Sequence, residues 1–350
     1  MSFSTILTLV QTALVLGLIC SVTVLALFLS YSMLNVCDLS TDGCFTLGAT
    51  VGAAVAIAGH PYLALPAAMA AGVLSGFCTA LLQTKMGVNS LLSGIIVNTA
   101  LYSVNIAVMG GSSVLNMNKT ATVFTKMRAL LEGTALQGQS RLIVAALAAA
   151  AVAVLLGLFL KTRLGLAIRA TGDNADMVRS SSINPVMTTI IGLCVSGSLT
   201  ALSGCLLAQY QKAVNIDIGT GMVTIALASL LIGGVFLGRS RLPLRIFGMI
   251  LGAFVFRLVY TVALRFDMPA FMLKLVSSVV VDLHPLSQAA VSALQAADAA
   301  RKEARVMLEL RHITKVFSPG TTDEKKALDD VSLHALPGDF ITIIGANGAG

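Results

Sequence analysis

Tryptophan is missing from this 350-residue chain, charged residues make up only 11% of it, and no charge occurs before Asp38. So little charge, beside 56% hydrophobic residues and a mean hydropathy of +0.89, excludes an ordinary soluble domain. The uncharged start also lacks the basic residues that open a cleaved signal peptide, so 6–30 reads as a retained membrane span. The cysteines form no C-x-x-C pair and have no histidines at ligand spacing, which leaves no zinc or dithiol signature. Cys20, Cys78, Cys194 and Cys205 lie in apolar runs, where a small hydrophobe is the expected role. Cys37 and Cys44 flank a loop, and a disulfide between them is the less favoured arrangement. The net charge of +7 comes without a basic patch interleaved with aromatics. Nucleic-acid binding is therefore set aside in favour of basic loops beside membrane spans.

What the chain has is apolar length. About 20 apolar residues cross the ~30 Å of hydrocarbon in a bilayer, and segments of this kind fall near 6–30, 44–60, 62–83, 88–110, 142–160, 185–207, 222–238 and 246–264. These eight predict an all-α polytopic membrane bundle with seven or eight crossings. The second segment is short and glycine-rich, the pattern of a broken or re-entrant helix. Lys161, Arg163, Arg169 and Arg179 crowd 161–184, and Arg239, Arg241 and Arg245 follow the seventh segment, so both stretches read as cytoplasmic. The stretch 111–140 then lies outside, although Lys119, Lys126 and Arg128 count against that side. Small residues four apart at Gly48, Gly72, Gly234 and Gly248 suit close helix packing.

Polar residues within the spans are candidates for a pathway. Asn98, Tyr102 and Asn105 recur at i, i+4 and i+7 and put a polar stripe on one helix face. Either a substrate path or interhelical hydrogen bonding accounts for it. Arg257 stands mid-segment, where a charge needs a polar interior or a partner. Asp38 and Asp42 open the short second segment, as helix caps or as part of a water-filled vestibule.

Three stretches carry a family resemblance: NVCDLSTDGCFTLGA after the first span, SGIIVNTALYSVNIAVMG, and GLAIRATGDNADMVRSSSINP followed by a run ending in LSGCLLAQYQ. Over roughly residues 1–280 the chain resembles the permease subunits of ABC importers of the branched-chain amino acid and ribose permease superfamily, in particular those that serve tryptophan/tyrosine-type binding proteins. In GLAIRATGDNADMVRSSSINP, Asp173 or Asn174 can cap a short helix running to about Ser180, before Pro185 opens the next span. The resemblance implies that this is the coupling helix, with Arg169 and Arg179 as anchors for an ATPase. A solvated loop is the plainer alternative.

From Met307 the composition changes to alternating, strand-like sequence and ends in an apolar strand, FITII, that runs into the loop GANGAG. Gly345 and Gly350 have the spacing of a phosphate-binding loop, whose Lys and Ser/Thr would be the next two residues. The region resembles the start of an ABC-transporter ATPase, an α/β P-loop NTPase. That resemblance implies adenine stacking at Phe317 and phosphate contacts at Gly345, Asn347, Gly348 and Gly350. The stretch holds no Walker B carboxylate and is too small to fold as that domain. The chain therefore divides into a permease domain (1–281), an Ala-rich helical linker (282–306) and an incomplete ATPase start (307–350). It is expected to be a fragment of a fused permease and ATPase, or the product of a frame change joining two genes.

The resulting expectation is an inner-membrane, non-enzymatic permease that moves an aromatic or branched-chain amino acid. Its partners would be ABC ATPase subunits, an extracytoplasmic binding protein, a second permease copy and membrane lipid, with no nucleic acid. ATP and Mg²⁺ would act through the ATPase subunits and would not be bound by this chain alone. A sugar or nucleoside is the alternative substrate within the superfamily. An ion-coupled secondary transporter is the alternative of another class, and it would call for internal repeats and membrane-embedded carboxylates.

Overall fold

A computed structural model describes residues 3–132, 137–237, 242–265, 308–317 and 325–335. By its contacts the chain divides into two units, Met1–His284 and Pro285–Gly350.

The first unit is helical. Its elements are α1 (Phe3–Leu27, prolonged by a π-helical stretch, Phe28–Met33), α2 (Thr41–Ile57), α3 (Ala64–Thr84), α4 (Ser90–Val108), α5 (Val123–Leu130), α6 (Ser140–Lys161), α7 (Arg163–Asp173), α8 (Ala175–Ser180), α9 (Pro185–Gln211), α10 (Met222–Leu237) and α11 (Leu242–Arg265). Six of these, within Thr8–Met33, Ala64–Thr84, Ser90–Val108, Ser140–Lys161, Pro185–Gln211 and Leu242–Ala263, are long and apolar enough to cross a membrane; Thr41–Ile57 and Met222–Val235 are apolar but shorter. The eight expected segments are thus all helical, with a second short one, α10, beside the short α2. The stretch 111–140 is not a plain loop. Strand β1 (Val114–Asn116) pairs antiparallel with β2 (Ala213–Asn215), Leu115 opposite Val214. Helix α5 then starts at a capping box in which the Thr122 and Thr125 side chains each bond the other's backbone N–H.

Helix α9 is the hub. Ser196 donates to the Ala26 carbonyl (2.9 Å) and Ser203 to the Ile19 carbonyl (2.7 Å), tying it to α1. On its other side α9 meets α2 and α3 backbone to backbone. A Cβ on Gly204 would overlap the Phe45 carbonyl of α2, one on Gly48 the Ala201 carbonyl, and one on Gly72 the Gly197 carbonyl. Small residues are used this way in hydrocarbon because close backbone approach supplies dispersion contact that no difference in hydrophobicity can. Helix α10 meets α11 in the same fashion, but through Gly233 against Gly248 and not through Gly234, whose added Cβ would meet open space.

In the second unit, β3 (Leu308–Phe317) and β4 (Lys325–Ala335) form an antiparallel hairpin with an irregular register between Leu310 and Val316. The expected linker 282–306 and the glycine loop lie outside the described residues.

Substituting Gly204→Val forces α2 and α9 apart and is expected to cost about 3 kcal/mol, while Gly234→Val is neutral. Thermal unfolding of the purified variants measures the contrast, and equal losses at both sites would contradict the packing described.

Candidate functional site

A helix that begins inside a membrane bundle exposes N–H groups that no water can satisfy, so each such end must find partners in the protein. Two helices do this here. The start of α2 lies against the middle of α4, with Gly43 facing the Asn98 side chain. The preceding turn is held by Asp38, whose Oδ1 accepts from the Ser40 N–H (2.9 Å) and the Ser40 hydroxyl (2.6 Å), while the Thr41 hydroxyl donates to the Asp38 carbonyl (2.9 Å). The start of α10 is held by Asp42 of α2, whose two carboxylate oxygens accept from the N–H groups of Gly221 (2.9 Å) and Val223 (2.8 Å). Asp42 therefore acts as a cap, but for a helix 180 residues further on rather than for its own. The negative carboxylate also suits the positive end of the α10 dipole.

Next to this junction lies a cavity of about 310 Å³. The α4 stripe lines it with Asn98, Tyr102 and Asn105, the start of α2 with Asp42 and Thr46, and the connection before α10 with Asp217 and Thr220. Asn105 is buried; its Nδ2 donates to the Gly43 carbonyl (3.3 Å), and its Oδ1 has no partner among the described residues. Tyr102 is half exposed. The stripe thus bonds across helices, through Asn105, and lines a polar space.

Asp38 and Arg257 do not line this cavity. Asp38 is buried in its turn, next to Ser40, which also receives the Thr79 hydroxyl (3.2 Å). Arg257 is buried where α11 packs on α1, with Nη2 donating to Cys20 Sγ (3.0 Å) and the guanidinium 5.2 Å from the centre of the Tyr260 ring. Cys37 and Cys44 are both free thiols.

At the end of the bundle where α6 gives way to α9, the polar stretch forms two helices where the sequence suggested one. Thr162 caps α7, accepting from Gly165 N–H (3.2 Å), and Arg169 lies on this helix. Asp173 is its last residue, so the cap of α8 is Asn174, which accepts from the N–H groups of Asp176 (3.1 Å) and Met177 (3.0 Å). Arg179 forms an exposed ion pair with Asp176 at 3.7 Å. Helix α7 is pressed onto the end of the first span, since a Cβ on Gly172 would overlap the Met33 carbonyl, and Thr171 shares a hydrogen bond with Thr188 of α9 (2.8 Å). In the second unit Phe317 closes β3, its ring half exposed beneath the Lys315 ammonium at 5.5 Å. Gly345, Asn347, Gly348 and Gly350 fall outside the described residues.

Residues 9–281 match the family model described as the permease component of branched-chain amino acid transport systems. The chain belongs to that family. It is the permease component of an ABC transporter, a multi-pass protein of the inner membrane. The permease is 32% identical over 267 residues to a tyrosine transport system permease protein of Clostridioides difficile, covering 76% of this chain and 86% of that one. It is 31% identical over 224 residues to an uncharacterized protein of Rickettsia prowazekii, covering 63% and 75%. It is also 31% identical over 114 residues, 32% of each chain, to an autoinducer 2 import system permease protein of Salmonella typhimurium. No solved structure matches the permease.

Asp42→Ala leaves two part-buried N–H groups at the start of α10 without their acceptor and is expected to lower stability by about 2 kcal/mol, with Asp42→Asn costing less than half as much. Unfolding of the detergent-solubilised variants checks this; an unaltered midpoint for the alanine variant would show that α10 does not depend on this cap.

Proposed function

We propose that the cavity beside the α2 and α10 starts is a stage of the translocation pathway, and that the substrate is an amino acid, aromatic or branched-chain. The observation that carries the reading is the Asn98, Tyr102 and Asn105 stripe, which turns polar groups into a space inside an otherwise apolar bundle, where they are costly unless used. The relative named for tyrosine transport supports an amino acid. The one named for autoinducer 2 import leaves room for a substrate other than an amino acid, and a sugar or nucleoside is the second reading. A second permease copy, an extracytoplasmic binding protein and ATPase subunits docked at 164–184 complete the proposed assembly. Arg169, Asp173, Asn174 and Arg179 lie on or between the two docking helices. ATP and Mg²⁺ act in this scheme on the ATPase subunits. The sequence pattern of 307–350, with Phe317 and the terminal GANGAG, is what stands behind the further proposal of an ATPase start.

Proteoliposomes holding the permease with its ATPase and binding protein test the reading. Labelled tyrosine or leucine is expected to accumulate with ATP and in the presence of ionophores, and ribose is not. Asn98→Leu and Asn105→Leu should each slow uptake about tenfold without loss of assembly. Uptake that runs without ATP would end the proposal, and faster uptake of ribose would overturn the substrate.

The α7 contact gives a separate test. Gly172→Val lifts α7 from Met33, and uptake per ATP hydrolysed is expected to fall about fivefold, the size of a coupling loss of about 1 kcal/mol. A Gly172→Val transporter with the wild-type ratio would remove α7 from the coupling route.

A further inference from the structure

At the end of the bundle away from α7, two arginines have no carboxylate paired with them among the described residues. Arg128, in the last turn of α5, and Arg141, in the first turn of α6, line a cavity of about 430 Å³ together with Thr8, Gln11 and Thr12 of α1 and Tyr210 of α9. None of the described residues lining it is acidic. Neither arginine takes part in an ion pair or a hydrogen bond among the described residues. The Arg141 guanidinium lies 5.7 Å from the centre of the Tyr210 ring, and that ring is braced edge-on by Phe124 at 5.7 Å. Stacking of this kind occupies a face of the guanidinium and leaves the N–H groups in its plane to a ligand. Two such forks in a polar space, with the Gln11 amide beside them, suit an anion that spreads its charge over two or more oxygens, as a phosphate does.

The surroundings narrow the source of that phosphate. The cavity is also lined by Val15, one turn further along α1 than Gln11 and Thr12. Beside it α6 turns an apolar face outward, with Leu147, Val154, Leu155 and Leu158 58–66% exposed. By helical spacing Arg141 stands on the border of that face, at its polar end. A ligand held here has its anion at the arginines and hydrocarbon directly alongside, at a helix end where headgroups meet the protein.

We propose that this cleft between α1, α5 and α6 binds the phosphodiester headgroup of an anionic phospholipid, whose acyl chains lie along α6. Free phosphate offers the same oxyanion chemistry without the chains, and the experiment separates the two. The purified full chain is studied by native mass spectrometry with dioleoylphosphatidylglycerol, with dioleoylphosphatidylcholine, and with inorganic phosphate alone. Wild type is expected to take phosphatidylglycerol over phosphatidylcholine by about tenfold. The Arg128→Gln/Arg141→Gln variant should lose that preference to within about twofold. Arg128→Gln alone, at an exposed position of α5, should keep about threefold, and it serves as the test where the double variant does not yield folded protein. Four results would overturn the proposal: equal binding of the two lipids by wild type, an unchanged preference in the glutamine variants, phosphate bound through both arginines with no lipid preference, and weakened binding-protein affinity in the variants with the lipid preference intact. The third points to a free-oxyanion site and the fourth to an acidic protein surface.

Discussion

Helices in hydrocarbon are not driven together by the aversion of apolar surface for water, since the surrounding chains are as apolar as leucine. Everything in this bundle depends on how closely α9 can approach its neighbours. Its glycines and alanines let α2 and α3 lie against its backbone, and its serines reach across to carbonyl groups of α1. Each hydrogen bond of that kind is worth only about 0.6–2 kcal/mol. Their value lies in geometry: a serine that must find one carbonyl fixes the rotation of α9 about its axis, and so fixes which of its faces α2 and α3 can meet.

That tight centre is what lets two helices begin within the bundle. A helix start costs unsatisfied N–H groups wherever water is absent, and the chain meets the cost with two aspartates in adjacent roles. Asp38 closes the turn before α2, and Asp42 holds the start of α10. The two starts bring backbone polarity and side-chain polarity to one level of α4, and the cavity lined by Asn98, Tyr102 and Asn105 opens there. Polar lining and helix capping are thus one construction. Asp42 belongs to both, since it lines the cavity while bonding the α10 backbone.

Local signals were legible in the sequence, and long-range ones were not. The apolar segments and the α4 stripe follow from spacing within a single helix, so both could be read from residues alone. The Asp42 bonds join positions about 180 apart, and nothing near Asp42 announces Gly221 or Val223. Spacing left Arg257 in need of a polar interior or a partner without naming which, because its partners, Cys20 on another helix and the ring of Tyr260, are not the usual acidic ones. Helix α7 did leave a signal that went unread: Thr162 as a cap, then small or apolar residues at 165, 168 and 171 on one face. The capping box at Thr122 and Thr125 likewise marked α5. Among the glycines, spacing found the right helices but picked Gly234 where the contact is made by Gly233, because spacing gives a face only once the neighbour's position is known.

The seam between Gly172 and Met33 has a mechanical consequence. With no Cβ between them, α7 and the end of the first span touch at van der Waals distance, and a surface so close has no room to slide. In the proposed coupling, a force applied to α7 would be borne by α1 as by a push rod loaded end-on, with no hinge at this seam to absorb it. The far end of that rod carries Thr8, Gln11 and Thr12. The proposed movement would then run from one face of the membrane to the other along α1 and its π-helical end, with α9, hydrogen-bonded to α1 at two heights, as its guide.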